Sequence, residues 1–227
     1  MMTEIKKLFK SRIILYILII MTVISLSFSL FVLNRISDTL TLNEKQTISS
    51  EFNFELIYYC MPLFIVFLAA FVFNKDITSG TMKHLIIKSD RTKIYIYKII
   101  GLFLTAVILN IVFNLINSLF IKFMLDIDTA GKFLMASLYE CIPVIEMSLI
   151  FSLLSIISKK NNIVYLISLH FIFLILTESP LFIGKYTYLG DFKAAISEDN
   201  LSIPGIIKSM VLIIATYLIF KNKELTE

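Results

Sequence analysis

The stretch Leu56-Ile-Tyr-Tyr-Cys-Met-Pro-Leu-Phe-Ile-Val-Phe-Leu-Ala-Ala-Phe-Val-Phe73 holds 18 residues without a charge. A basic connection follows, and then residues 99–121 run 23 residues, again with no Lys, Arg, Asp or Glu. A helix rises about 1.5 Å per residue, so about 20 residues cross a hydrocarbon core of about 30 Å. Both runs are membrane spans by length. Both must be helical, because hydrocarbon offers a backbone N–H no partner outside its own segment, and the alternating pattern of a membrane barrel is missing.

Four more runs lie outside this pair, at residues 13–33, 133–157, 163–177 and 206–220. The last two are 15 residues each, and apolar flanks lengthen them: 181–183 after one, 201–205 before the other. The first is too long and too poor in small residues at its end to be a cleaved signal. The expectation is an all-α polytopic membrane protein, a single transmembrane domain over residues 1–227 with six transmembrane helices. Composition agrees. Of 227 residues, 58% are hydrophobic and 17% charged, and mean hydropathy is +0.87. Soluble domains run near half apolar and a quarter charged, so a soluble globule is excluded, and disorder with it. Cys60 and Cys141 both fall in apolar runs and imply no disulfide framework.

The net charge of +4 does not suggest a nucleic-acid partner. The placement of the charges says more. The N-terminus, the connections after spans two and four, and the C-terminal tail carry 14 Lys and Arg. The three opposite connections carry six, and Lys208 stands apart near the start of the last span. The positive-inside bias then puts both termini in the cytoplasm. The outer connections lean acidic, which reads as solvated surface. Heavy Ile, Lys and Asn usage suggests an AT-rich bacterial genome, and so a bacterial cytoplasmic membrane.

Two segments stand out on the cytoplasmic side. In residues 3–12, Ile5, Leu8 and Phe9 share a helical face opposite lysines. This is either an interfacial amphipathic helix or a plain positive anchor. In residues 74–98, Gly80-Thr81 punctuates the end of span two. Met82, Leu85 and Ile86 then form an apolar stripe beside Lys83, His84 and Lys88, and Ser89 or Asp90 caps the helix leading into span three. A short basic amphipathic helix of this kind anchors on anionic lipid or docks a soluble partner.

The series Asp76, Gly80, Thr81, Leu85, Ser89, Arg91 and Lys98 resembles the corresponding loop of type-2 ATP-binding-cassette exporter permeases. The six spans and the chain length fit that family too. The resemblance implies that residues 76–91 form a coupling helix seated in a cleft of a separate ATPase subunit. Asp76, Gly80, Thr81, Met82, Leu85, Ile86 and Arg91 would lie at that interface, with Phe9 added from the N-terminal helix. It implies two ATPase copies that carry the ATP and Mg, a second permease copy (the same chain or a related one), and a re-entrant segment at 178–184. No glycine in this chain begins G-x-x-x-x-G-K-[ST], so the phosphate-cradling loop must lie on another polypeptide. No cofactor is expected here.

Span four holds Glu140 and Glu146 about Pro143. A mid-membrane carboxylate costs about 3 kcal/mol on insertion scales, so such groups face a bundle interior or a wet cavity. At 100° per residue the two point about 120° apart. Pro143 lacks the N–H that would bond Tyr139, which predicts a kink. In span three, Asn110, Asn114 and Asn117 share one stripe, and span four carries Ser137, Ser148, Ser152 and Ser155 on one side. Such stripes suit interhelical hydrogen bonding or a polar lumen. Glu140, Glu146 and the three asparagines are therefore the candidates for a translocation path. His170 has no metal-ligand partner at helical spacing and reads as a satisfied membrane histidine.

The leading functional expectation is the membrane subunit of an ATP-driven exporter, moving an amphipathic or hydrophobic substrate such as a peptide. A stand-alone channel or ion-coupled carrier is the alternative, motivated by the two span-four acids. An intramembrane enzyme would need a reactive constellation that the spans do not hold.

Overall fold

A computed structural model of the chain describes residues 12–35, 40–74, 85, 87, 90–157, 167, 170, 188–191 and 203–222. Its long elements are all helical: α1 Arg12–Arg35, α2 Leu42–Ala69 with a π-helical end at Ala70–Asn74, α3 Arg91–Leu125, α4 Ala130–Tyr139, α5 Cys141–Ile157 and α6 Ile203–Asn222. Four are long and apolar enough to cross a bilayer, and α4 with α5 makes a fifth, bent by 47°. Six spans were expected. The fifth of those, residues 163–177, lies outside the described residues except for 167 and 170, as do the re-entrant segment 178–184 and the N-terminal helix before Arg12.

The exposed faces show that these helices are built for lipid. On α1, Ile14, Ile17, Met21, Ser25, Ser29 and Val32 are buried, a stripe at spacings of three and four. The outward face carries Leu15, Tyr16, Ile19, Ile20 and Val23. Serines inside and bare aliphatics outside reverse the arrangement of a soluble helix, where polar groups face the solvent. α6 repeats it, with Ser209 and Thr216 inside and Ile207, Met210, Val211 and Ile214 outside.

Three boundaries differ from the hydropathy reading. α2 begins at Leu42, not at 56. Thr41 and Glu44 form a capping box: Thr41 Oγ1 accepts from the Glu44 N–H at 3.4 Å, and Glu44 Oε2 accepts from the Thr41 N–H at 2.8 Å. A helix needs no lipid to continue, so the polar residues before the span simply extend it. α3 begins at Arg91, not at 99, with Asp90 in the N-cap position. At 35 residues it is about 52 Å long, several turns more than the hydrocarbon requires. It stops where Asp126 turns left-handed at φ 55 and returns its N–H to Lys122 O.

The third difference divides the expected fourth span in two. The helix breaks at Glu140, three residues before Pro143. Proline is tolerated in the first turn of a helix, where its missing N–H leaves no bond unmade. Restarting at Cys141 puts Pro143 in that turn, and the kink predicted from sequence is this 47° bend.

α3 lies at the centre and packs on α1, α2, α4 and α5, while α6 packs most extensively on α5. Met21, Ile57, Met61, Ile65, Phe113 and Phe151 are fully or almost fully buried in one core. At one end of the bundle, Gln46 Nε2 on α2 donates to Asp128 O in the α3–α4 turn, at 3.3 Å. The start of α3 meets the ends of α2 and α6 at the other end. Ring pairs link this end: Phe73 with Phe220, and Tyr95 with Tyr217 and Phe220.

Candidate functional site

Of the residues expected at a docking interface, Phe9, Asp76, Gly80, Thr81, Met82 and Ile86 lie outside the described residues. Leu85 is half-buried and packs against the core. Ile87, absent from the expected apolar stripe, is 82% exposed. Helical phase alone did not find it.

Arg91 stands at the first position of α3. Its Nη1 donates to Lys221 O at 2.8 Å, at the end of α6. Terminal carbonyls of a helix lack intrahelical partners and carry partial negative charge, so a guanidinium there satisfies one of them. Thr92 Oγ1 lies 3.2 Å from Tyr217 Oη, and Tyr95 Oη donates to Ile213 O at 3.0 Å. One turn deeper, Lys98 is 1% exposed, and its Nζ donates to Val72 O at 2.6 Å while lying 5.9 Å from the centre of the Phe73 ring. Val72 belongs to the π-helical end of α2. The first turns of α3 are thus joined to the end of α2 and to the middle and end of α6 through backbone carbonyls. The sequence marked Lys98 as one positive charge among six in its loop and as the last residue of the series that resembles the exporter permeases, and neither reading gave it a buried partner.

The second polar region lies nearer the opposite end of the bundle and is made of side chains meeting side chains. Asn117 Nδ2 donates to Asn53 Oδ1 at 2.6 Å, and Asn53 Nδ2 donates to Asn114 Oδ1 at 2.9 Å. Asn114 Nδ2 and Asn110 Nδ2 both donate to Glu140 Oε2, at 3.0 and 2.9 Å. All three span-three asparagines and Glu140 are fully buried, and Asn53 nearly so. The stripe predicted on α3 therefore meets α2 on one side and the α4–α5 break on the other. Asn53 was missed because it sits in a stretch that reads as an outer loop.

The serine stripe behaves differently. Interhelical bonds were expected, but Ser137, Ser148 and Ser152 each donate to a carbonyl of their own chain three or four residues back. A hydroxyl on a helix reaches the preceding turn more easily than a neighbouring helix. Ser155 does cross, to Ala69 O at 3.4 Å.

Glu146 faces elsewhere, as its 120° offset predicted. Its Oε1 lies 4.0 Å from Lys208 Nζ on α6, and Lys208 makes a short ion pair with Asp191. Here Lys208, left over in the charge count, finds its role: one ammonium serves two acids buried between α5, α6 and the turn at 188–191. Beside it, His170 Nδ1 lies 2.8 Å from Tyr188 Oη, with Phe151 stacked edgewise on both rings. One ring nitrogen of His170 is thus paired with the Tyr188 hydroxyl. Among the described residues, no three His, Cys, Asp or Glu side chains gather as a metal site would need.

Glu140 also lines a cavity of about 540 Å³ between α2 and α4. Ser50, Asn53 and Phe54 of α2 and Gly131, Lys132, Met135 and Tyr139 of α4 share its wall. Two apolar grooves, along α1 with α2 and along α1 with α3, are lined by aliphatic and aromatic side chains and suit acyl chains.

Neither a curated protein nor a solved structure matches the chain. A family model does. Its match begins at residue 1, ahead of α1, and runs through the joint at Arg91 and the asparagine–Glu140 network to residue 177. Members of that family are the non-catalytic membrane subunits of transporters and work with separate ATP-hydrolysing subunits. Spanning most of the chain, and agreeing with its helical, multi-pass architecture, the match to the ABC-2 family transporter protein model shows that this chain belongs to that family.

Proposed function

We propose that this permease is the membrane half of an exporter with six spans and both termini in the cytoplasm. Residues 76–91 are its coupling helix, docked on a separate ATPase subunit. Two permease copies and two ATPases form the working unit, in a bacterial cytoplasmic membrane. The cargo is an amphipathic or hydrophobic molecule, with a peptide the best fit to apolar spans that hold few acids. ATP and Mg belong to the ATPase.

The observation that carries this reading is the joint at the start of α3. Ile87 stands 82% exposed just before it. Arg91, Tyr95 and Lys98 then bind the helix to α6 and to the end of α2. A push on the segment around Ile87 reaches three helices at once, because each is held to α3 through its backbone. Arg91 in this reading serves the joint, and Ile87 takes the place beside the ATPase that Leu85 was expected to fill.

Co-purification with the ATPase subunit tests it. Ile87→Asp leaves the fold intact, since the side chain is exposed, and lowers ATPase recovery by about tenfold or more, as loss of a buried apolar anchor does. If Ile87→Asp retains its ATPase at the native ratio, the docking assignment fails. Substrate flux in vesicles without ATP would instead support a stand-alone channel or carrier.

A further inference from the structure

The cavity between α2 and α4 has the chemistry of a receptor for a cation. Glu140, at the break between α4 and α5, is 0% exposed. Its two oxygens are treated differently. Oε2 accepts two amide N–H groups, from Asn110 and Asn114. Oε1 has no hydrogen-bond partner among the described residues, and no ion pair among them involves Glu140. Glu146, the other buried acid of the bent α4–α5 pair, faces elsewhere and has Lys208 within 4.0 Å.

The hydrogen-bond directions limit the explanations. Asn117 donates to Asn53, Asn53 to Asn114, and Asn114 to Glu140, so the chain of amides converges on the carboxyl as an acceptor. A proton on Oε2 would point into two N–H donors. A proton on Oε1 would make a buried hydroxyl with no acceptor, which is unfavourable in itself. The network thus leaves Glu140 with a buried oxygen, Oε1, that has no hydrogen-bond partner and no cation among the described residues. An isolated buried charge is costly until something pairs with it.

The cavity wall indicates what that partner is. At about 540 Å³ it is far larger than a metal ion needs. Phe54 and Tyr139 present aromatic surface, Met135 a soft thioether, and Ser50 and Asn53 polar atoms. Aromatic faces attract organic cations, and thioethers adapt to irregular apolar shapes. Lys132, exposed on the same wall, excludes bare cations at the mouth and favours a ligand whose charge travels with an apolar body. We infer that this cavity binds an organic ammonium group attached to an apolar chain, with Glu140 as its counter-charge and Phe54, Met135 and Tyr139 around its body. The inference deepens the exporter reading and rests on it for biological meaning: the ligand is the cationic side of an amphipathic cargo.

Octylammonium is a suitable probe, with octanol as the neutral control, and binding is measured by calorimetry on the full-length permease in lipid nanodiscs without an ATPase. Glu140→Gln keeps one acceptor for Asn110 and Asn114, removes the charge and puts an amide NH2 in the place of Oε1. It should weaken octylammonium by about tenfold or more and leave octanol unchanged, as loss of a buried charge-assisted contact does. Lys132→Glu changes an exposed residue and should tighten octylammonium by about threefold, a modest shift as expected for a partly screened charge. Equal octylammonium affinity in the native protein and Glu140→Gln overturns the site, and so does an equal loss of octanol. Should Glu140→Gln fail to fold, Lys132→Glu decides: unchanged or weaker octylammonium binding overturns the inference. Because no ATPase is present, failure here leaves docking at Ile87 standing, and failure of docking leaves this binding unchanged.

Discussion

The two polar regions of the bundle use hydrogen bonds in opposite ways. At the start of α3, side chains reach backbone carbonyls: Arg91 finds Lys221 O, Tyr95 finds Ile213 O and Lys98 finds Val72 O. Two of these carbonyls, of Lys221 and Val72, lie in the last turn of another helix, and that of Ile213 lies in the middle of α6. Nearer the other end, side chains meet side chains in the middle of helices, and atoms are left over. Glu140 Oε1, Asn110 Oδ1 and Asn117 Oδ1 all lack hydrogen-bond partners among the described residues. The first region is complete in itself and suits a mechanical joint. The second is incomplete and suits binding. Family membership makes the pairing reasonable, since a transporter subunit needs both a part that is pushed and a part that meets cargo.

Substitutions should separate the two regions, and the largest effect belongs to the network. Glu140→Leu removes the acceptor of two buried amides, at about 1–3 kcal/mol each, while relieving the burial of a carboxylate. The net loss expected in thermal unfolding of the detergent-purified protein is about 3 kcal/mol. Glu140→Gln should lose less than about 1 kcal/mol, because an acceptor remains. Equal losses for the two would mean that the asparagines do not depend on Glu140.

Lys208→Met should follow, at about 2 kcal/mol, since it strands Asp191 and Glu146 without a cation. Adding Asp191→Asn should recover part of that loss, and a strictly additive double variant would show that the three groups act independently. At the joint, Lys98→Met keeps the apolar stem and abandons Val72 O, for about 1–2 kcal/mol. Transport coupled to ATP hydrolysis should fall further than stability does in this variant. If transport survives at the native level, the joint is a structural clamp and not a path for force. The smallest effect is Tyr217→Phe, which loses only the contact with Thr92 and should cost about 0.6 kcal/mol, the average for hydrogen bonds between membrane helices.

Much of this was legible along the chain. The α3 asparagine stripe, the divergence of Glu140 from Glu146 and the kink near Pro143 each follow from local geometry: 100° per residue, or a missing N–H. The α2 start was legible too, in the Thr41–Glu44 capping box, but an apolar-run criterion passes over it because the residues after it are polar. Leu85, on the expected apolar stripe, packs against the core while Ile87, off it, is exposed, because a helical wheel ranks residues by phase, and only the neighbouring core shows which phase is already covered.

By itself, the amino-acid sequence determined that the chain is helical and lives in lipid, that it carries no nucleotide-binding loop, and which residues share a helix face. Those properties depend on composition and on spacing over a few turns. Only the tertiary structure decided what each face meets: that Asn53 completes the asparagine chain, that Lys98 caps the end of α2, and that Lys208 pairs with Asp191 and lies beside Glu146. These partners lie 17 to 62 positions away in the chain. Helical periodicity carries no information across such separations. The partner of a buried polar group is set by which helices pack together, and in a membrane that choice is made by shape and hydrogen bonding rather than by a hydrophobic pattern.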